Sequence, residues 1–389
     1  MTGRILIIGS GMAGIALARE VRKHDPAVEL VMLSADSGDF YSKPALSNAI
    51  AAGKSPVSLV LSPAARLEGD LRMRLVSGVG ATAVDPVAKR VHTDAGDFPY
   101  AQLVLAVGAR PRRLPIAGDG ADAMLSVNDL ADYARLRNRL EGARSVAIVG
   151  AGLIGCEFAN DLRAGGWSVD VFDIGTQPLA GLLPGFAAQR LGEALRIAGV
   201  GLRLGAALGA VERSGEGFVL RTASGFEGRY DVVVSAVGLQ PDLALARSAG
   251  LRTAAGIVTD RFLRTSAPDI FALGDCAEVE GTHLPFVLPI TLGARSLART
   301  LLGEPTAVDY PAMPVVLKTP ALPTVVCPPP PSGEGDWEVE QDTEGLRGLH
   351  VDRRSGRLDG FVLQGARVRE RQALAARLPG PFVGRATSA

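Results

Sequence analysis

Apolar residues in this chain gather in short unbroken runs rather than in strict alternation, and glycine ends most of those runs. The first run is Ile5–Ile8. Gly9-Ser10-Gly11-Met12-Ala13-Gly14 follows it, and between Ala13 and Lys23 the residues Ile15, Leu17, Ala18 and Val21 recur at helical spacing. Glu29–Leu33 is strand-like again. The same order returns over Ser145–Asp173, with Val146–Val149 as the run and Gly150-Ala151-Gly152-Leu153-Ile154-Gly155 as the turn. An unbroken apolar run predicts a strand covered on both faces, as in a parallel sheet flanked by helices. Further buried strands are predicted at Leu103–Gly108, Asp231–Gly238 and Asp269–Asp275. Helices are predicted at Leu130–Leu140, capped from within Ser126–Asp129, and from about Pro289 to Leu302. Residues 306–389 carry strand-like pieces at Val315–Leu317, Thr324–Cys327, Trp337–Val339 and Gly360–Leu363, and a last helix near Arg369–Leu378. Pro328–Pro331 reads as an exposed loop between strands.

These elements predict an α/β protein: two doubly wound, Rossmann-like domains, the second inserted in the first, and a small α+β domain at the C-terminus. Arg110–Pro115 is a turn-rich crossing out of the first domain. The return of a buried strand at Asp269–Asp275, after the second unit, favours insertion over simple tandem domains. The expected division is 1–112 with 240–305, then 113–239, then 306–389.

Glycines spaced in this way, between a strand and a helix, place free backbone N–H groups and a helix dipole against a pyrophosphate. Two such turns imply two dinucleotides, and two dinucleotides side by side imply hydride transfer. The candidate contacts are Gly9, Gly11, Met12, Ala13 and Gly14 in the first unit, and Gly150, Gly152, Leu153, Ile154 and Gly155 in the second. In the second unit Asp173 ends the strand after the helix. Its carboxylate suits a free ribose 2′-hydroxyl and repels a 2′-phosphate, and Ile174-Gly175-Thr176 supplies no arginine, so NADH is expected over NADPH. In the first unit the acid position holds Ser34, with Asp36 two residues on, and either is a candidate for the ribose.

Composition narrows the classes. Lys+Arg and Asp+Glu are both 41, so the formal net charge is zero, which argues against a general nucleic-acid binder. No apolar run approaches the roughly 20 residues of a membrane helix. The first strand leaves no room for a signal peptide before it, so a soluble, cytoplasmic protein is expected, a monomer or homodimer. Cys156, Cys276 and Cys327 form no close pair, and His24, His92, His283 and His350 are scattered, so neither a local redox disulfide nor a metal site is expected.

Phe40–Ser47 (FYSKPALS), Gly150–Asn160 (GAGLIGCEFAN), Ile270–Ala277 (IFALGDCA) and Lys318-Thr319-Pro320 occur in this order. With them the chain resembles the rubredoxin reductases of the FAD-dependent pyridine nucleotide–disulfide oxidoreductase superfamily, and is similar to the reductases that feed flavorubredoxin. The resemblance spans nearly the whole chain. It implies FAD in the first domain and NADH in the second. It implies that Asp275 binds the ribityl chain, that the helix after Pro289 points its N-terminus at the flavin with a backbone contact at Val287, and that Lys318 is a cation near the flavin. Pro44, Ala81, Ala106, Gly108 and Arg110 complete the expected FAD contacts, and Gly238 the expected NADH contacts. Lys43 and Glu157 are the expected catalytic residues, near the flavin and nicotinamide rings, and are expected to pair with each other.

Disulfide reductases of the superfamily carry a cysteine pair on the helix after the first βαβ unit; Ser37–Ile50 here contains no cysteine. Electrons are therefore expected to pass from NADH as hydride to FAD and then singly to an outside iron centre, with rubredoxin the implied acceptor. Arg110, Arg112 and Arg113 form a tight basic run that suits docking of an acidic partner. Rival expectations are a ferredoxin or flavorubredoxin reductase, an aromatic-dioxygenase reductase component and, in a different class, an NADH-sensing flavoprotein that acts by partner binding.

Overall fold

The computed structural model describes residues 3–330 and 333–382. The strands Ile5–Ile8, Leu30–Leu33, Arg74–Val76, Gln102–Leu105 and Ile270–Ala272 form one parallel five-stranded sheet. Its central residues Ile5, Leu6 and Ile7 are fully buried because helices or loops cover both faces. Burial of each such side chain stabilises the fold by about 1.5–3 kcal/mol. Ile270–Ala272 comes after the whole second unit, yet it pairs with Gln102–Leu105. The chain thus leaves the first sheet, builds another, and returns.

The second parallel sheet has the order Val200–Leu204, Ser168–Asp173, Ser145–Val149, Val232–Ser235. In each sheet the innermost glycine turn leads into a helix, Met12–His24 in one and Leu153–Ala164 in the other. The first ends on Arg22, Lys23 and His24, cations suited to the negative end of a helix. The helix Leu130–Leu140 lies where the spacing predicts it, and Asp129 caps it by accepting the Asp132 N–H at 2.7 Å.

The crossing at Arg110–Pro115 differs from expectation. Ala109–Pro111 pairs antiparallel with Leu239–Pro241, so the outward and return connections between the two sheets bond to each other. The Arg110 guanidinium sits 2.7 Å from Asp242. That pairing neutralises one member of the expected basic docking run, and it leaves Arg112 and Arg113 as the remaining cations of the segment.

The C-terminal segment forms an antiparallel five-stranded sheet, ordered Val315–Leu317, Thr324–Cys327, Leu358–Gly365, Gly345–Asp352, Gly335–Gln341. Gly345–Asp352 is a strand that the apolar pattern does not predict. Its inward positions include Gly348 and His350 rather than aliphatic residues. Gly348 makes room for the Phe186 ring, and His350 Nδ1 lies 2.5 Å from Asp359. The sheet rests on the helix Gly185–Ile197, where Phe186 meets Trp337 edge-on at 5.7 Å and Gln364 Nε2 donates to Ala187 O. The expected last helix is a 3₁₀ turn, Ala366–Glu370, continued by a short α-helix, Arg371–Ala375. Pro328–Pro330 has no regular structure; Pro331, the last residue of that predicted loop, lies outside the described residues.

Candidate functional site

Both glycine turns are built to one plan. Gly9 has φ +111°, and a Cβ there would stand 2.3 Å from Ala106 O. Gly14 faces the Gly9 carbonyl, 1.9 Å from where its Cβ would be. In the second unit Gly150 (φ +108°) approaches Ala236 O and Gly155 approaches Gly150 O in the same way. These glycines close the strand–helix junction. The middle glycines differ: a Cβ on Gly11 or Gly152 would meet nothing within 4 Å. Each is the cap of its helix, and neither helix has a side-chain cap or an acid in its first turn. The first N–H groups, at Met12 and Ala13 and at Leu153 and Ile154, are therefore left for an anion outside the fold. The geometry fits two pyrophosphates.

The strand-end acids support these turns. Asp173 accepts the Ala151 N–H at 2.5 Å and the Gly175 N–H at 2.6 Å, so it stands directly beside the second glycine turn. In the first unit Ser34 is buried and donates to Asp36 Oδ1 at 2.5 Å. Ser10 Oγ lies 2.6 Å from Ser34 Oγ, and the Gly38 N–H also binds Asp36 Oδ1. Asp36 is exposed, and its other oxygen accepts no hydrogen bond among the described residues. Ser34 is thus the anchor, and Asp36 presents the free oxygen. Ala81 packs with Ile8 and Leu33 in the cluster under this corner.

The first sheet also meets the helix Val287–Leu301. A Cβ on Gly274 would be 2.8 Å from Ala13 Cβ and 3.8 Å from Ile290, so the first glycine turn, the Gly274-Asp275 turn and this helix start converge. The helix begins at Val287, two residues before the predicted start, and Pro289 lies in its first turn, where a missing N–H costs nothing. Asp275 and Lys43 lie near each other here, and neither forms an ion pair among the described residues. Burial raises the Asp275 carboxyl above its ordinary value, opposed by Lys43 and His283; burial lowers the Lys43 ammonium, opposed chiefly by Asp275. A carboxylate with no donor and an ammonium with no acceptor among the described residues fit a ligand bearing hydroxyls and a polar ring edge. Ala106 and Gly108 end the neighbouring strand, and the Gly108 carbonyl accepts the Asp242 N–H. Gly238 stands at the matching place in the second sheet, where its carbonyl accepts the Arg112 N–H.

The raised Asp275 carboxyl has a consequence with a definite sign. Its contribution to stability is present below the ordinary carboxylate range and is lost as pH rises through the raised folded value. Asp275→Asn is therefore expected to raise the melting temperature of the FAD-free protein at neutral pH, with the gain vanishing in acid. The same change is expected to weaken FAD binding by about tenfold, the worth of one hydrogen bond to a charged group. Thermal melts across pH and an FAD titration check both signs.

Glu157 does not pair with Lys43. It is fully buried on the helix Leu153–Ala164, and Lys318 of the C-terminal sheet reaches it at 2.9 Å. The Lys318 backbone N–H binds its Oε1 at 2.9 Å, and the Ser47 hydroxyl donates to its Oε2 at 2.5 Å. Asn48 adds a longer bond of 3.4 Å. The Lys318 ammonium also donates to Pro44 O and to Ser47 Oγ. The reason for the exchange is position: Lys43 opens the 3₁₀ turn Lys43–Asn48 and faces Asp275, while Ser47 and Asn48 at its far end face Glu157. Ser47, Asn48, Asn160 and Asp161 were not singled out from sequence. Asn160 accepts the Ala321 N–H and Asp161 the Ile50 N–H. For Asn160 and Asp161 the signal was their place three and four residues after Glu157 on an otherwise apolar helix; Ser47 and Asn48, on the 3₁₀ turn, gave none.

None of the cysteines is placed for electron relay. Cys156 and Cys276 are buried and all three are free. Burial pushes the Cys156 thiol up to about 12, and the Cys276 and Cys327 thiols up to about 11, so none is a thiolate near neutral pH. Among the described residues there is no group of metal ligands, and no helix is long and apolar enough to cross a membrane.

Residues 3–292 match the family of pyridine nucleotide-disulphide oxidoreductases, and residues 307–378 match the rubredoxin binding C-terminal domain. The rubredoxin-NAD(+) reductase of Acinetobacter baylyi is 44% identical over 93% of this chain and 94% of its own. The nitric oxide reductase FlRd-NAD(+) reductase of Aeromonas hydrophila is 38% identical over 96% of each. Among solved structures, the ferredoxin reductase for the CYP199A2 system from Rhodopseudomonas palustris is 26% identical, with a TM-score of 0.87 over 97% of this chain and 95% of that one. With two glycine turns, a match over most of its length and relatives of this likeness, the chain belongs to the pyridine nucleotide-disulphide oxidoreductase family.

Proposed function

We propose that this chain is an FAD-dependent NADH:rubredoxin oxidoreductase. The observation that carries the reading is the union, in one chain, of two pyrophosphate-ready turns with a rubredoxin-binding type of C-terminal domain seated beside them. We divide it into an FAD domain, 1–112 with 240–305, an NAD(H) domain, 113–239, and a C-terminal domain, 306–389. The free cysteines suit a reducing compartment, and we place the protein in the cytoplasm.

When bound, FAD supplies the exchange between a two-electron hydride donor and a one-electron iron acceptor. The residues of the chain do the rest. Gly11 with Met12 and Ala13 holds the FAD pyrophosphate, Asp36 accepts from a ribose hydroxyl, and Asp275 accepts from the ribityl hydroxyls. Lys43 and the positive end of the helix Val287–Leu301 favour negative charge at the ring edge. Gly152 with Leu153 and Ile154 holds the NADH pyrophosphate. Asp173 accepts from the adenine ribose and repels a 2′-phosphate.

Asp173→Ala removes that repulsion. The preference for NADH over NADPH, read as the ratio of kcat/KM values, is expected to fall by about tenfold or more, a difference of about 1.4 kcal/mol. An unchanged ratio assigns the selectivity elsewhere.

A second reading, reductase for a flavorubredoxin, is favoured by the 38% identical relative. The test of both is a panel of acceptors for the FAD-loaded protein with NADH: rubredoxin, flavorubredoxin, ferredoxin, quinone and oxygen. Fastest reduction of rubredoxin supports the proposal. Fastest reduction of flavorubredoxin supports the second reading, and preference for ferredoxin or quinone overturns both.

A further inference from the structure

The bonds around Glu157 join three parts of the chain at one point. Glu157 comes from the helix that follows the second glycine turn, Lys318 from the end of the first strand of the C-terminal sheet, and Ser47 from the 3₁₀ turn that begins with Lys43. Ser47 is 3% exposed, and it touches both others, which also meet each other directly at 2.9 Å. Its single proton goes to the Glu157 carboxylate at 2.5 Å, because the alternative acceptor, Pro44 O, is 3.4 Å away. Its oxygen lone pairs take the Lys318 ammonium at 3.3 Å and Asn48 Nδ2 at 3.2 Å. Donor and acceptor capacity are therefore both used. Glu157 has no exposed surface, so its charge acts on the surroundings through these partners. Lys318, at 39% side-chain exposure, is the member in touch with solvent.

We propose that Ser47 is a positioning residue for the acceptor side of the reaction: its hydroxyl completes a three-element lock with Glu157 and Lys318 that fixes the C-terminal domain against the turn carrying Lys43. The proposal rests on the rubredoxin reductase reading. Without the hydroxyl, the direct contact between Glu157 Oε2 and the Lys318 ammonium loses the partner that braces both of its ends, and water competes for the half-exposed lysine. The Lys318 backbone N–H, held by the other oxygen of the same carboxylate, loosens with it. The domain that docks the acceptor then no longer keeps one distance from the flavin-side turn. Lys43 itself lies at the opposite end of the turn and keeps its place against Asp275.

The test uses the full-length, FAD-loaded protein and the variant Ser47→Ala. Hydrogen exchange at the Lys318 amide is expected to speed up by about tenfold, the loss expected for one hydrogen bond to a charged group. The KM for rubredoxin is expected to rise about fivefold while kcat changes by less than about twofold, since a docking distance and not the chemistry is affected. In a Glu157→Gln background, where the carboxylate is already gone, Ser47→Ala is expected to add less than about twofold to either quantity, because residues that act through one group are not additive. Equal effects in the two backgrounds, or unchanged exchange at Lys318, overturn the lock. The exchange experiment needs no acceptor, so it reads the lock even where wild-type protein fails to reduce rubredoxin, a failure that counts against the function instead.

Discussion

Gly9→Ala is expected to yield a colourless protein. The added methyl group would meet the Ala106 carbonyl oxygen at 2.3 Å; that oxygen is backbone, and the methyl is fixed directly to backbone, at the ends of neighbouring strands. A flexible side chain cannot yield there, so the strands themselves must part. The φ of +111° adds a conformational cost that only glycine avoids. Folding is weakened and the pyrophosphate turn is opened together, and FAD affinity is expected to fall by at least about a hundredfold, or about 2.7 kcal/mol. Gly11→Ala is the informative control. A Cβ at Gly11 meets no atom of the protein, so the FAD-free form is expected to melt as wild type does. The methyl group then stands where the phosphates approach, and FAD binding is lost without loss of fold. Visible flavin absorbance of the purified proteins, with melting curves of their FAD-free forms, separates the two outcomes.

Lys318→Met is expected to destabilise the protein by about 3 kcal/mol, the low end for breaking a buried ion pair, since the lysine is partly exposed and water screens it. The loss arises at the other partner. Glu157 is left fully buried, with the Lys318 backbone N–H, the Ser47 hydroxyl and the more distant Asn48 amide as donors and no cation. The double variant Lys318→Met with Glu157→Met is therefore expected to regain most of the stability, because neither charge is stranded. Urea unfolding of the single and double variants measures this. A double variant as unstable as the single one would show that packing, not charge, governs the junction.

The local βαβ units were legible in sequence because their signals are dense: an unbroken apolar run, glycines at fixed offsets and an acid at the next strand end. The helix Leu130–Leu140 was equally plain, since its Asp129 cap and apolar spacing agree. Long-range pairing was harder to read. Gly345–Asp352 hid because Gly348 and His350 take inward positions that a hydrophobic pattern assigns to aliphatic residues. The partner of Glu157 was misjudged for a similar reason. Lys43 lies 114 residues before Glu157 and Lys318 161 after it, and spacing along the chain holds no trace of which ammonium reaches it. Arg110 read as free for docking because Asp242, its partner across the paired connections, is 132 residues away. Asp36 rather than Ser34 presents the free oxygen at the first ribose corner, a choice that depends on which of the two side chains points inward.

In the proposed function, electrons pass from NADH to FAD and out of the molecule with no protein thiol between. Anaerobic titration of the FAD-loaded protein with NADH tests it most directly. One equivalent of NADH per FAD is expected to bleach the flavin completely, and prior alkylation of accessible thiols is expected to leave both the titration and rubredoxin reduction unchanged. Uptake of a second equivalent before full bleaching, or loss of electron transfer on alkylation, would contradict it.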